Sequence, residues 1–410
     1  MSSIQKFVLS NGVRVLVEPV SHVQSAAIGI WCQTGSRLEK EHQAGISHLI
    51  EHMMFKGTEK RSAEQIAQAI EGRGGHLNAF TDREQTCYYA RVLAEDTIHT
   101  LDVLSDMFIG SKMDSEDLDV ERSVVQEEIR KYEDSPEDLV HDLHARNRWG
   151  THPLGRPIIG THESVGGFAP SDLKAYMGER YLAGKTVIAV AGNVQPDQFR
   201  DACEEKLSQL KGDFALPVEP PPVSNSGEFV TQKPVEQIHF CMGGDCVNQL
   251  DVRRIAMSVL DSILGGSMSS RLFQEIREKR GLVYAIGTYS AMYREAGAFV
   301  IYGGTSPKQW PQVKEIVGKE LAKIRNEPVP DEELARVKQM LKGSIVLALE
   351  GMSSRMHRMA RNEMVFGRDI PIEETIAKIN AVTPSDLQAL ANEFLQDEEL
   401  TTTIIGSTES

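Results

Sequence analysis

The segment PSDLKAYMGERYLAGKTVIAVAG (residues 170–192) lies without a gap on PSDLQALANEFLQDEELTTTIIG (384–406). The Pro, Ser, Asp, Leu, Ala, Glu and closing Gly coincide. Each copy reads as a capped helix start, an amphipathic helix and then a strand. A chain of 410 residues also exceeds the about 250–300 residues at which single cores stop growing. The repeat therefore predicts two copies of one fold: a first domain over 1–215, a linker over 216–228 and a second domain over 229–410. The linker, LPVEPPPVSNSGE, is Pro-rich and polar, as connecting segments are. A shared fold does not mean shared chemistry.

Within the first copy, FVLSNGVRVLV reads as a hairpin, and its Asn11-Gly12 pair predicts a type I′ turn. SAAIGIWCQTG is a second strand region. SAEQIAQAIEGRGG is a helix, with Ser62 and Gln65 as a capping box and Gly72 as its stop. GGHLNAFTDREQTCYYARV reads as two strands joined near Asp82. Strands and helices come in blocks, not in strict alternation. The expected class is α+β, with each domain a mostly antiparallel sheet covered by helices.

A formal charge of −15 argues against nucleic acid as a partner and suits neutral or basic ones. The five cysteines are scattered and odd in number, so they read as reduced packing thiols. No apolar run reaches the about 18 residues of a membrane span. The N-terminus lacks a basic start followed by an apolar run. The expected compartment is the cytoplasm.

The first half contains GISHLIEHMMFKGT (45–58). Helical spacing puts His48, Glu51 and His52 on one face, two imidazoles one turn apart with a carboxylate beside them. Buried without partners, such groups are costly. Paired, they suit a zinc ion, with His48 and His52 as ligands and Glu51 within reach of a water. This is the H-x-x-E-H order, and the second half has none. A third ligand is needed. In SEDLDVERSVVQEEIRKYED, the stripe Leu118, Glu121, Val125, Glu128, Tyr132 is apolar except for two carboxylates, whereas Glu127 falls on a solvated face. Glu128 is taken as the third ligand. Glu121, two turns earlier, either orients a ligating histidine or binds the metal weakly. Charged neighbours on this helix could equally make it a salt-bridged surface.

HLIEHMMFKGT, GGHLNAFTDREQTCYYA, ERSVVQEEI and SSRLFQEIREKRGLVY together resemble the pitrilysin-type zinc peptidases. Their relatives include mitochondrial processing peptidase and insulin-degrading enzyme, and the likeness is strongest to the short bacterial branch. The resemblance implies the processing-peptidase fold and one Zn2+ per chain, held by His48, His52 and Glu128. It implies Glu51 as general base and Glu121 as the acidic residue before the last ligand. It also implies that Asn78, Ala79 and Phe80 form the edge strand pairing with substrate backbone, and that Arg277 and Tyr284 close on the substrate. The last two lie in the second repeat, and longer relatives join two such halves. A homodimer is thus implied, with Arg277 and Tyr284 reaching the other subunit's zinc; pairing with an inactive homologue is the other option. The function expected is endopeptidase cleavage of extended, preferentially basic peptides inside a closed chamber. The rivals are a zinc hydrolase of non-peptide bonds and a non-catalytic structural subunit.

Overall fold

The computed structural model describes residues 4–407. Two compact units emerge. The first comprises the chain up to Arg130, Arg156–Val218 and Leu347–Asp369; the second comprises Lys131–Gly155, Glu219–Val346 and the chain from Ile370.

In the first unit, strands β1 (Gln5–Val8), β2 (Arg14–Pro19), β3 (Ser25–Cys32), β4 (His76–Thr81), β5 (Thr86–Leu93) and β6 (Thr186–Gly192) form one sheet in the order β1-β2-β6-β3-β5-β4. In the second, β7 (Gly227–Thr231), β8 (Ile238–Asp245), β9 (Ile286–Met292), β10 (Gly297–Thr305) and β11 (Thr401–Ile405) pair in the order β7-β11-β8-β10-β9. Apart from β1, the two sheets have the same topology. Each is antiparallel except at one pairing made by its last strand, β6 on β2 and β11 on β7. The sequence repeat is this closing piece: helices Pro170–Arg180 and Pro384–Phe394, each with proline in the first turn, followed by β6 and β11. Both copies end on glycine at positive φ, Gly192 at 145° and Gly406 at 118°. At Gly192 a Cβ would stand 2.4 Å from the Ser25 carbonyl oxygen, so the retained glycine is a steric requirement.

Every residue of β6 is buried. A strand covered on both faces reads as a continuous apolar run, not an alternating one. Ile28, Ile30, Ile188 and Val190 point into the larger core, which includes residues of α1 (Ile46–Met53), α2 (Ala63–Glu71), α3 (Thr97–Gly110) and α4 (Ser115–Asp134). Ala27, Trp31, Val187 and Ala189 point the other way, against Met356 and Met359 of the helix Met352–Phe366. The second sheet is built likewise: one face has its own core, and the other packs Cys241, Val300 and Ile405 on Val140 and Trp149 of the helix Pro136–Trp149. Contiguous segments therefore do not match the compact units. Each unit takes one helix from the opposite half of the sequence, because an apolar second sheet face needs a cover.

The capping box of Ser62 and Gln65 is present, and Gly72 caps that helix. The turn at Asn11-Gly12 differs from expectation. Gly12 has φ of 93°, but Met113 is the only non-glycine at positive φ among the described residues, so a type I′ turn is ruled out. The Asn11 side chain instead accepts the Val13 N–H and donates to the Leu207 and Leu210 carbonyls, and the Gly12 N–H bonds to Leu9 O at 2.9 Å. This is a longer loop with one left-handed glycine. All five cysteines are free and buried. No helix among the described residues is long and apolar enough to cross a membrane.

Candidate metal centre

In α1, Ile46, Leu49, Ile50 and Met53 are buried, and that apolar stripe turns His48, Glu51 and His52 to the opposite, half-buried side. The helix has no side-chain cap of its own at Gly45. Its first amides are taken by a residue outside it. Glu39 Oε2 accepts the Gly45 N–H at 2.8 Å, and Oε1 accepts the Ser47 N–H at 2.9 Å. Ser47 Oγ pairs with the Tyr176 hydroxyl, which also meets Thr34 Oγ1. Burial pushes the Glu39 carboxyl up to about 7 against those hydrogen bonds and the charge of Arg156.

On α4 the buried line is Leu118, Glu121, Val125 and Ile129. The expected stripe ending at Tyr132 is not the buried one: Tyr132 is exposed, and Ile129 takes the inward position because successive steps of four follow the helix round. Glu128 stays on the margin of this line with its side chain 39% exposed. Glu127 is solvated and paired with Arg130, as expected.

Glu128 Oε2 stands 3.5 Å from His52 Nε2 and 3.9 Å from His48 Nε2. The two rings are 4.7 Å apart between centroids. Among the described residues, this is the only group of three potential ligands whose donor atoms lie within 4.8 Å of one another. Glu121 Oε2 is 2.9 Å from His52 Nδ1, and its other oxygen meets Lys56 Nζ. A carboxylate at Nδ1 favours the tautomer whose Nε2 lone pair is free for a metal. Burial, then the neighbouring His52, lowers the His48 pKa to about 4, so its imidazole is neutral at neutral pH. Burial also disfavours charge on His52, but the Glu121 hydrogen bond and the charges of Glu128, Glu121 and Glu51 outweigh it and raise the pKa. Glu51, Glu121 and Glu128 gather here against the single lysine Lys56, an acidic surplus of the kind a cation would balance. Two nitrogens and one oxygen match the three protein ligands of a catalytic zinc site.

Glu51 lies outside that triple. Thr81 Oγ1 donates to its Oε2, while burial raises its pKa against that bond and the nearby His52. Thr81 ends β4, which among the described residues pairs only with β5 and so is an edge of its sheet. Asn78, Ala79 and Phe80 sit on this edge, with Asn78 exposed. Behind them, the His357 ring packs 5.8 Å from Phe80, 5.0 Å from Tyr89 and 5.5 Å from Trp31.

Arg277 and Tyr284 belong to the second unit. Arg277 lies in a π-helical turn, Phe273–Glu278, with its guanidinium 4.7 Å from the Phe273 ring centroid and 5.5 Å from that of Tyr284. Tyr284 is 81% exposed.

Sequence reasoning missed Glu39, Lys56, Thr81 and His357. Lys56 lies four residues after His52 but in the turn past the end of α1, so helical spacing does not reach it. The others act across long sequence gaps and carry no local signal.

Residues 14–162 match the model of the insulinase family, peptidase family M16, and residues 168–341 match that of the peptidase M16 inactive domain. The chain is 40% identical to the uncharacterized zinc protease YmxG of Bacillus subtilis over 96% of each chain. It is also 40% identical to an uncharacterized zinc protease of Streptomyces coelicolor, over 96% of this chain and 88% of that one. Among solved structures, a protease from Helicobacter pylori superposes with a TM-score of 0.92 at 22% identity, covering 99% of this chain and 100% of that one.

Proposed function

The chain belongs to the insulinase family, peptidase family M16, and on that premise we propose that it is a zinc-dependent endopeptidase acting on extended peptides. The observation that carries this is the convergence of His48, His52 and Glu128 beside a separately held Glu51. His48 Nε2, His52 Nε2 and Glu128 would hold the ion, with Glu121 fixing the His52 ring. Zinc bound there supplies Lewis acidity for the scissile carbonyl and for the attacking water. Glu51 takes a proton from that water as its oxygen attacks the carbonyl carbon, and returns a proton to the amide nitrogen as the C–N bond breaks. The buried, Thr81-anchored carboxylate suits both roles, because burial favours the protonated form in the second half of the cycle.

Substrate adds as a strand to the free edge of β4 at Asn78, Ala79 and Phe80, held by backbone hydrogen bonds with little sequence demand. That mode favours peptides over other hydrolysable groups. The charge of −15 favours basic peptides. The enzyme works as a homodimer enclosing a chamber, each zinc site completed by Arg277 and Tyr284 of the partner subunit, with Tyr284 donating to the oxyanion. The support for self-pairing is that one chain carries both the ligand set and the Arg/Tyr pair.

The test is chelator-sensitive cleavage of a basic fluorogenic peptide. Glu51→Gln is expected to keep zinc and lose at least about a hundredfold in kcat. Glu128→Ala is expected to lose zinc. A folded Glu128→Ala protein with stoichiometric zinc, or parental turnover by Glu51→Gln, would refute the assignment.

A further inference from the structure

We propose that Glu39 is a positioning residue for the metal centre: its carboxylate clamps the first turn of α1 and thereby sets where His48 and His52 present their nitrogens. This rests on the metal-centre reading above. α1 is only eight residues long, a length at which a helix in isolation is marginal. The first amides of any helix lack partners within it. Here Gly45 offers no side chain as cap, and the Ser47 hydroxyl pairs with the Tyr176 hydroxyl. Glu39 supplies what is missing, one oxygen to Gly45 N–H and the other to Ser47 N–H. Ser47 directly precedes His48 in the chain. When ionised, Glu39 also complements the dipole at this end of the helix.

The clamp is itself anchored. Glu39 is 4% exposed, and Arg156 Nη1 donates to its backbone carbonyl at 2.8 Å. Burying a carboxylate is costly unless its oxygens are filled, and both oxygens here are filled by amides of the metal-bearing helix. Glu39 touches neither ligand nor substrate, so it acts only through α1.

Zinc affinity, measured by competition with a chromophoric chelator, is the deciding quantity. Glu39→Gln keeps the shape but turns an NH2 group toward one of the two amides. The variant is expected to bind zinc about 10–100-fold more weakly, with Glu39→Asp in between and kcat of the zinc-saturated protein near parental. A role in packing alone would lower the melting temperature and leave zinc affinity at 25 °C unchanged; that result overturns the proposal. Should the variants not fold, the unaltered protein stripped of metal answers instead. Its Gly45 and Ser47 amides should exchange with solvent as slowly as those of Met53 and Met54, and rapid exchange there refutes the clamp. Neither readout depends on peptide cleavage, so failure of the clamp and failure of the peptidase reading are distinguishable.

Discussion

At the scale of single residues, histidine is used in this chain in opposite ways. His48 and His52 face an acidic cluster, whereas His144 on the helix Pro136–Trp149 is buried with both ring nitrogens unpartnered. Burial, then Arg148 and His141, lowers the His144 pKa to about 3 from an ordinary 6.5. The unfolded chain therefore binds a proton that the folded chain refuses. The stability that follows is complete above pH 6.5 and is lost as pH falls toward 3. Between pH 7.5 and 5 this one group should cost about 2 kcal/mol. Urea melts at the two values would measure it, and His144→Leu should flatten the difference. An unchanged slope in that variant would place the acid sensitivity elsewhere. The site residues themselves were legible in sequence because a helix maps spacing directly onto faces. Bringing Glu128 to the two histidines needed only the register of α4 against one apolar stripe, although the far end of that stripe was misread at Tyr132.

At the scale of elements, β4 is held from both sides. On one side Thr81 ties its end to Glu51; on the other, the His357 ring packs at an angle against Phe80 and edge-to-face with Tyr89. An edge strand that must accept another strand needs a stiff backbone, since every hydrogen bond to the added chain depends on its line. His357→Ala removes the ring behind Phe80. It is expected to raise KM for a peptide several-fold while leaving kcat and zinc content near parental, and His357→Phe should recover most of the loss. If kcat and zinc content fell with KM unchanged, the brace would be acting on the metal centre and not on the strand. The hairpin at the N-terminus shows where local reasoning stops. Asn11-Gly12 prescribes a type I′ turn in isolation, but Asn11 is recruited by the Leu207 and Leu210 carbonyls and only Gly12 takes the left-handed conformation.

For the whole molecule, the repeated topology invites the proposal that two copies cooperate through a site assembled from both chains. A mixing experiment decides it. Glu51→Gln and Tyr284→Phe chains are each expected to be nearly inactive alone. Dissociated and reassociated together, they should regain roughly a quarter of parental activity if Tyr284 serves the partner's zinc, since only mixed dimers then hold a complete site, and one of two. No recovery would mean that Tyr284 acts within its own chain or not at all.

By itself the sequence determined the duplicated α+β plan, the face of α1 that carries His48, Glu51 and His52, and the residues able to hold a metal. All of these follow from spacing along one element or from one segment matching another. Only the tertiary structure decided that Glu39 closes the start of α1, that His357 backs β4, and that helices Pro136–Trp149 and Met352–Phe366 each cover the sheet of the opposite half. These are contacts between residues far apart in the chain. Periodicity can show that a face must be covered, but it does not name what covers it.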